Sequence, residues 1–344
     1  MRNDDPPPIA PDPRAGHPFA RSEPTRAETG GDAPAADATP LRAAAIDVGS
    51  NAIRFLAAEL DGPRLPTLAF DRAAIRLGRD VFENGRIGAE LMDAAVEALA
   101  RFRQRMDDLG ITRYRAVATS AVRDSANGAD LVARAQAAAG LTLETIDGTE
   151  EAELVLRAVR AHVPMDDAPW LLVDIGGGSV ELTVASAQRM MSSASHPLGA
   201  VRLLREYGGA DAAAFRRAIE ARVSQVPLPP EAAAGVGDVV TTGGNADALG
   251  DLLELDRDER GVSRLGVPLL RETIDRIAAA SLEERMSWGL GADRADVILP
   301  AAIIYERLCT RVRCDELCIP RVGVREGVIL DASRHRSVEI TPKE

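Results

Sequence analysis

The sequence predicts an α/β fold made of two related halves. Apolar strand-like runs alternate with segments of helical period along most of the chain, which is typical of that class. One local design also occurs twice: an apolar strand ends in Asp and a glycine turn follows, first at residues 45–51 and again at 172–179. With 344 residues, the chain is long enough for two domains and a sizeable core.

In the first half, strands are predicted at 43–47, 53–60 and 66–77, and the first two pair as a hairpin around the glycine turn. Apolar residues recur with a helical period between Gly88 and Gly110, so a helix is predicted there. The remaining predicted elements are a strand at 114–119, a helix from Asn127 to Gly140, a strand at 141–146 and a helix that begins at Glu150 with Thr149 as its N-cap.

The second half repeats the strand, glycine turn and strand up to about residue 185. Its other predicted elements are helices at 210–224 and 268–286, a strand at 238–242, a helix at 301–309, a strand at 314–319 and a turn at 323–327. Pro300 suits the first position of its helix, because the first helical turn leaves backbone N–H groups unpaired in any case.

The first 41 residues contain nine of the 21 prolines, and we predict that this segment is disordered. Such a composition buries too little apolar surface to offset the entropy lost on ordering. We therefore divide the chain into this proline-rich segment at 1–41, an N-terminal lobe at 42–163, a C-terminal lobe at 164–335 and a polar tail at 336–344.

Composition excludes several classes of function. The net charge of -12 argues against nucleic acid as a partner, since that requires a concentrated basic face. The single lysine, Lys343, excludes a P-loop and the strand lysine of protein kinases. No segment approaches the roughly 18 apolar residues that span a bilayer, and the N-terminus lacks the apolar run of a secretion signal. We expect a cytoplasmic protein without a membrane partner, whose three cysteines are reduced packing residues.

The two glycine turns would clamp a phosphate chain if they faced each other. We call residues 49–51 the first corner and residues 176–179 the second corner. Glycine lets backbone N–H groups approach a ligand closely, and the carboxylate before each turn can hold a metal ion or a water. Those carboxylates, Asp47 and Asp174, can also simply cap their own turns. Their matching places in a duplicated unit favour magnesium ligation, because that ion prefers oxygen ligands.

A charged residue follows each of these aspartates by seven positions, but its sign differs between the halves: Arg54 in the first and Glu181 in the second. Glu181 shares a strand face with Ser179, which places it on the side of the expected phosphate. A strand carboxylate can also be merely solvated. Glu151 has a structural interpretation too, because the helix dipole favours an acid in the first turn.

Six short motifs occur in a fixed order at residues 47–51, 76–78, 118–123, 148–152, 174–181 and 325–327. As a set they resemble the Ppx/GppA exopolyphosphatase and guanosine pentaphosphate phosphatase family. The resemblance covers about residues 43–332. It implies the actin-like ATPase (ribonuclease H-like) fold, in which two related α/β lobes flank a cleft.

The resemblance also implies an activity: water removes a terminal phosphate from inorganic polyphosphate or guanosine pentaphosphate with the help of Mg²⁺ (or Mn²⁺). Glu151 would be the base, Glu181 would share the catalytic role, and Asp174, Glu181 and Asp47 would hold the metal. The expected phosphate-binding residues are Gly49, Ser50, Asn51, Arg54, Thr119, Ser120, Arg123, Gly176, Gly177, Gly178, Ser179, Gly243, Gly244 and Asn245. For the last three, an ordinary turn is the alternative. Arg325 and Glu326 are interpreted as an ion pair under the last helix.

Two departures from the family pattern keep a second class of function open. Ala52 replaces a serine that many relatives have, and Glu153 replaces an arginine. They motivate a non-catalytic protein that binds guanosine tetra- or pentaphosphate or polyphosphate and signals by lobe closure. A small-molecule kinase of the same superfamily ranks last, since nothing resembles an acceptor-binding insert. The choice between polyphosphate and the guanosine nucleotide stays open, and the resemblance implies a homodimer.

Overall fold

The computed structural model describes residues 41–60, 65–209, 211–332 and, for their backbone, 338–339. Apart from Leu41, the predicted disordered segment lies outside these residues. So does the predicted polar tail, except for that last pair of residues. The lobe boundaries remain a prediction.

The helices and strands of the described residues are numbered in chain order. The strands are β1 (Arg42–Val48), β2 (Ile53–Glu59), β3 (Thr67–Ala73), β4 (Arg113–Ala118), β5 (Leu143–Thr145), β6 (Trp170–Ile175), β7 (Val180–Ala185), β8 (Met190–His196), β9 (Val239–Thr242), β10 (Ser263–Gly266), β11 (Glu316–Ile319) and β12 (Val338–Glu339). The helices are α1 (Leu77–Asn84), α2 (Ala89–Asp108), α3 (Ser120–Arg123), α4 (Gly128–Ala139), α5 (Gly148–His162), α6 (Ala200–Tyr207), α7 (Ala212–Gln225), α8 (Pro230–Ala233), α9 (Gly244–Leu252), α10 (Val267–Ala279), α11 (Leu282–Ser287), α12 (Ala292–Ala295), α13 (Ile298–Val312) and α14 (Val324–Ala332).

The strands of the described residues form two sheets that share one topology. In the first sheet, β1, β2 and β3 are antiparallel neighbours, β4 runs parallel to β1, and β5 runs parallel to β4. In the second, β6, β7 and β8 are antiparallel neighbours, β9 runs parallel to β6, and β11 runs parallel to β9. The predicted α/β class with two related halves is therefore confirmed, and so is the hairpin around the first glycine turn.

Helices cover both sheets, as parallel strands require. Helices α2 and α4 pack on the first sheet, where Phe102 stacks on Phe55 with ring centroids 5.4 Å apart. Helices α7, α10 and α13 pack on the second sheet. Helices α5 and α14 lie between the sheets, since Val155 and Ile329 share one apolar cluster with Val117 of the first sheet and Leu172 of the second. These two central helices carry side chains to the edge where the glycine corners lie.

Several predicted boundaries are wrong. The strand predicted at 66–77 ends at Ala73, and α1 begins at Leu77 because Leu77 and Val81 are buried one turn apart. The helix predicted at 268–286 is two helices, since Ser281 forms a capping box that starts the second one. Pro300 is the third residue of its helix, where its missing N–H still costs nothing.

Two further predictions fail beside the cleft. The turn predicted at 323–327 is the start of α14, whose packing against α5 outweighs the weak helical signal of a segment that contains Gly327. The N-cap of α5 is Asp147, not Thr149, because the Asp147 side chain accepts hydrogen bonds from the N–H groups of Thr149 and Glu150, both at 2.9 Å. The strands β8 and β10 and the helix α6 were not predicted.

None of the described helices is both long and apolar enough to cross a lipid bilayer. The three cysteines are free thiols, and two of them, Cys309 and Cys318, are buried in the core. Burial raises the pKa of the Cys318 thiol to about 12, so this residue is uncharged at neutral pH. The interpretation as packing residues is in keeping with this environment.

Candidate active site

The two glycine turns have the same backbone geometry. In the first, the N–H of Gly49 donates to the carbonyl of Ala52 at 3.1 Å, and in the second the N–H of Gly176 donates to the carbonyl of Ser179 at 3.0 Å. The seven-residue spacing therefore brings each aspartate opposite its charged partner on the neighbouring strand, Asp47 opposite Arg54 and Asp174 opposite Glu181.

The sign of that partner makes the two hairpins electrostatically different. Arg54 Nη1 donates to Asp47 Oδ2 at 2.9 Å, so the first hairpin carries an ion pair. The second hairpin instead holds two carboxylates side by side, and Ser195 Oγ donates to Glu181 Oε1 at 2.8 Å. The first hairpin is close to neutral, whereas the second has an excess of negative charge.

The two corners face each other across a narrow gap. A Cβ atom added to Gly177 would lie 2.8 Å from Ser50 Cβ and 3.4 Å from the backbone nitrogen of Asn51. A residue with a side chain would therefore push the corners apart, and glycine is required here by close approach. The Ser50 hydroxyl also contacts the Ser120 hydroxyl at 2.9 Å, which joins the start of α3 to the first corner.

A cavity opens between the corners. Most residues that the sequence singled out line it, namely Asp47, Gly49, Ser50, Asn51, Arg54, Thr119, Ser120, Glu151, Asp174, Gly176, Gly177, Ser179, Gly243, Gly244 and Asn245. The start of α5 and the start of α9 thus border the same space as both corners. The structure brings together side chains that lie up to about 200 positions apart in the sequence.

Three of the predicted site residues lie behind the cavity wall. Glu181 is buried beside Ser195. Gly178 packs against the Phe82 ring and Ser120. Arg123 donates to the carbonyl of Ile146 at 2.9 Å, and its guanidinium lies 3.8 Å from Glu151 Oε2. Arg123 and Glu181 therefore act on the cavity through its acidic side chains, since both contribute to the electrostatics of Glu151.

Burial and mutual repulsion perturb the carboxylates of the site. Burial raises the pKa of Glu151 well above its usual range, and the charges of Glu181, Asp174 and Asp47 raise it further. Burial, with the charge of Glu181, raises the pKa of Asp174 to about 7. Burial also raises the pKa of Glu181, although hydrogen bonds from Ser179 and Ser195 oppose the shift. The negative charge of these carboxylates therefore exceeds the positive charge that nearby side chains provide.

The residues present fit a hard divalent cation bound in part by substrate. Glu151 Oε2 is buried without a hydrogen-bond partner, and Asp174, which also lines the cavity, offers further carboxylate oxygens. The described residues contain no group of three or more His, Cys, Asp or Glu side chains placed to hold a metal by themselves. Asp47 is already paired with Arg54. Mg²⁺ suits such a site, because it is usually held by one or two carboxylates together with water and phosphate oxygens.

Sequence reasoning missed two charged residues that line the cavity. Arg294, on the short α12, donates from Nη1 to Asn245 Oδ1 at 3.1 Å, and burial together with Arg54 and Arg72 lowers its pKa to about 9. Asp247, in the first turn of α9, has an oxygen, Oδ1, that is buried without a hydrogen-bond partner. Neither residue belongs to a recognisable motif, so only tertiary structure could place it here.

The last helix contributes a third charged group. Arg325 and Glu326 line the cavity, and the Nε of Arg325 donates to Glu326 Oε1 at 2.7 Å, so the predicted ion pair is present. Glu326 Oε2 also accepts from the N–H of Gly323 at 2.8 Å. The pair thus holds the start of α14 at the cavity wall.

Residues 56–335 match the model of the Ppx/GppA phosphatase family. The chain belongs to this family. Its relatives include an uncharacterised protein of Streptomyces coelicolor, 30% identical over 84% of this chain and 90% of the relative, and exopolyphosphatase 1 of Mycobacterium tuberculosis, 28% identical over 84% and 88%. The recognition made from the six motifs is confirmed.

Solved structures of family members are similar as well. The exopolyphosphatase of Cytophaga hutchinsonii aligns with a TM-score of 0.79 at 27% identity, covering 86% of this chain and 99% of that one. The Ppx/GppA family member of Aquifex aeolicus aligns with a TM-score of 0.72 at 25% identity, covering 87% and 100%. The fold is of the actin-like ATPase type, as the resemblance implied.

Proposed function

We propose that this protein is a phosphohydrolase that releases the terminal orthophosphate of inorganic polyphosphate. The observation that carries the proposal is the position of Glu151, whose unpartnered oxygen is buried at a cavity that both glycine corners line. Family membership and the exopolyphosphatases among the relatives and solved structures support the same reaction class.

In this proposal, the corners bind the terminal phosphate. Backbone N–H groups of the two glycine turns, with the side chains of Ser50 and Asn51, donate to the phosphate oxygens. Arg54 and Arg294 meet the negative charge of the chain beyond them. Fixed donors of this kind stabilise the charge that develops on a phosphoryl group without reorganising during the reaction.

Glu151 orients the attacking water and accepts its proton at Oε2. The water oxygen forms a bond to the terminal phosphorus while the bridging P–O bond breaks, which leaves orthophosphate and a chain shortened by one unit. The raised pKa makes Glu151 a stronger base once it is ionised. Arg123, 3.8 Å away, supplies part of the positive charge that ionisation needs.

Asp174 would hold Mg²⁺ (or Mn²⁺), and the negative charge of Glu181 behind the cavity wall would favour the cation. When bound, such an ion would neutralise phosphate charge and polarise the phosphoryl group. Glu181 occupies the position in the second hairpin that Arg54 occupies in the first, so Asp174 has no arginine opposite it to neutralise its charge. A bound cation would supply that positive charge.

Glu151→Gln tests the assignment of the base. We expect phosphate release from polyphosphate to fall by roughly 10²- to 10⁴-fold while KM stays unchanged, as for loss of a general base. Glu153→Gln is the matched control, because Glu153 is exposed on the same helix and lies outside the cavity lining. Unchanged turnover in the Glu151 variant would remove that residue from the mechanism.

Guanosine pentaphosphate is a second candidate substrate, and Asp247 favours it. Inorganic polyphosphate offers almost no hydrogen-bond donors at neutral pH, so it cannot supply a partner for the unpartnered Asp247 oxygen. A nucleotide brings donors on its ribose hydroxyls and base. We expect Asp247→Asn to weaken release from guanosine pentaphosphate and to preserve or improve release from polyphosphate. Equal effects on both substrates would refute a nucleoside contact.

The two residues that motivated the non-catalytic alternative lie outside the cavity lining. Ala52 is buried in the core beside the first corner, and Glu153 is exposed to solvent, so neither lines the cavity. A sensor would bind these substrates in the presence of Mg²⁺ without releasing phosphate, which a direct phosphate assay distinguishes from hydrolysis. The homodimer and the cytoplasmic location stay predictions.

A further inference from the structure

We propose that Arg115 is a positioning residue for the general base: through Glu150 it fixes the rotation of α5 and thereby the direction of the Glu151 side chain. The proposal rests on the proposed function, because it takes Glu151 as the base.

Arg115 is buried in the middle of β4, where its guanidinium is surrounded by carboxylates from three elements. Its Nη2 donates to Glu150 Oε1 on α5 at 2.6 Å. Its Nε and Nη2 also donate to Glu144 Oε2 on β5, at 3.2 and 2.9 Å. Its Nη1 donates to Asp331 Oδ2 on α14 at 3.1 Å. One cation thus connects a strand of the first sheet to both central helices.

Arg115 is charged at neutral pH. Burial alone would lower the pKa of Arg115, but hydrogen bonds and charge from Glu144 and Glu150 raise it overall. A charged guanidinium with several directed N–H donors holds its partners in one geometry better than an ammonium group could.

The rotation of α5 decides where Glu151 points. Successive side chains on a helix are separated by about 100° around its axis, so Glu150 can face Arg115 while Glu151 faces the cavity. The cap at Asp147 fixes where the helix begins. The Arg115–Glu150 contact then fixes how the first turn is rotated, one residue before the base.

The other central helix is held to the same frame. A Cβ on Gly327 would clash with the carbonyl oxygen of Leu154, so α14 approaches the backbone of α5 as closely as glycine allows. Asp331 accepts from Arg115 and also pairs with Arg157 of α5. The central helices therefore form one unit, tied through Arg115 to the strand beside them.

Glu150→Gln and Glu144→Gln form a matched pair that separates positioning from stability. Each variant removes one charged partner of Arg115 and keeps the shape of the side chain, but only the first loosens α5. For Glu150→Gln we expect kcat on polyphosphate to fall roughly 5- to 50-fold with KM unchanged, since small displacements of a reacting group cost rate. For Glu144→Gln we expect kcat to stay within a factor of about two of wild type, with a similar loss of Tm.

A double variant gives a second test, because a merely structural role of Glu150 would affect the rate of phosphate release whether or not Glu151 is present. In the Glu151→Gln background no base remains to be positioned, so adding Glu150→Gln should leave the residual rate unchanged. Residues that act as a unit are expected to be non-additive in this way. Independent, multiplicative losses would overturn the proposal.

The outcomes also distinguish this proposal from the proposed function. Absence of phosphate release by the wild-type protein would overturn the function itself. Normal release by wild type together with equal kcat losses in the Glu150 and Glu144 variants would overturn only the positioning role of Arg115.

Discussion

Replacing Asp174 by asparagine is expected to stabilise the metal-free protein at pH 8 and to do so much less at pH 5. Asp174 lies beside Glu181 and forms no ion pair among the described residues; burial and the charge of Glu181 raise its pKa from 3.8 to about 7, and the charge of Arg54 opposes the shift only in part. The folded state therefore favours the protonated acid. The stability contributed by Asp174 is fully present below about pH 4 and is lost as the pH rises through 7.

The size of the effect follows from the shift. A rise of about three pKa units corresponds to about 4 kcal/mol of destabilisation once Asp174 is ionised. Part of the side chain reaches the water of the cavity, which screens the repulsion, so we expect about half of that value. About a third of this loss has already occurred at pH 5, so the Asp174→Asn variant would gain about 1 kcal/mol relative to wild type between pH 5 and pH 8, or roughly 2 °C in Tm.

The assay is urea or thermal unfolding in a chelating buffer at the two pH values. Asp47→Asn is the control, since Asp47 occupies the equivalent place in the first hairpin but is paired with Arg54 at 2.9 Å. There the same substitution should destabilise at pH 8, because it leaves a partly buried cation without its partner. Added Mg²⁺ should raise the Tm of wild type and not of the Asp174 variant. Destabilisation of both variants at pH 8 would refute the reasoning.

Two further substitutions test the geometry of the cavity. Gly177→Ala should raise KM for polyphosphate and lower the free energy of unfolding by about 1–3 kcal/mol, because the added Cβ would lie 2.8 Å from Ser50 Cβ. Steady-state kinetics measure KM, and unfolding titrations measure the free energy of unfolding. An unchanged KM would contradict a close approach of the corners. Arg294→Gln should raise KM for polyphosphate about 10-fold without lowering Tm. Arg294 is a buried cation, and burial together with the charges of Arg54 and Arg72 lowers its pKa to about 9. A loss of Tm with a normal KM would show that Arg294 has a structural role.

Much of the fold was predictable because its elements follow local rules. The hairpin from β1 to β2 is encoded by apolar runs on either side of a glycine turn, and α2 by its buried period between two glycines. Elements without such signals were missed. The start of α14 looked like a turn, and only its packing between the sheets makes it a helix.

The site was predictable where it is repeated or belongs to a motif. The equal seven-residue spacing in the two halves is the local signal behind the pairing of Asp47 with Arg54 and of Asp174 with Glu181 that the sheets show. Arg294 and Asp247 were not predictable, because each enters the cavity from a helix whose sequence carries no motif.

By itself, the sequence determined the family, the doubled α/β plan and the contrast between a neutral and an acidic hairpin, because all three follow from local pattern and residue type. Tertiary structure alone decided that the two corners meet across a gap, that Arg115 joins the central helices, and that Arg294 and Asp247 share the cavity with Glu151. The reason is physical: these relations depend on how two sheets pack around α5 and α14, which no local pattern specifies.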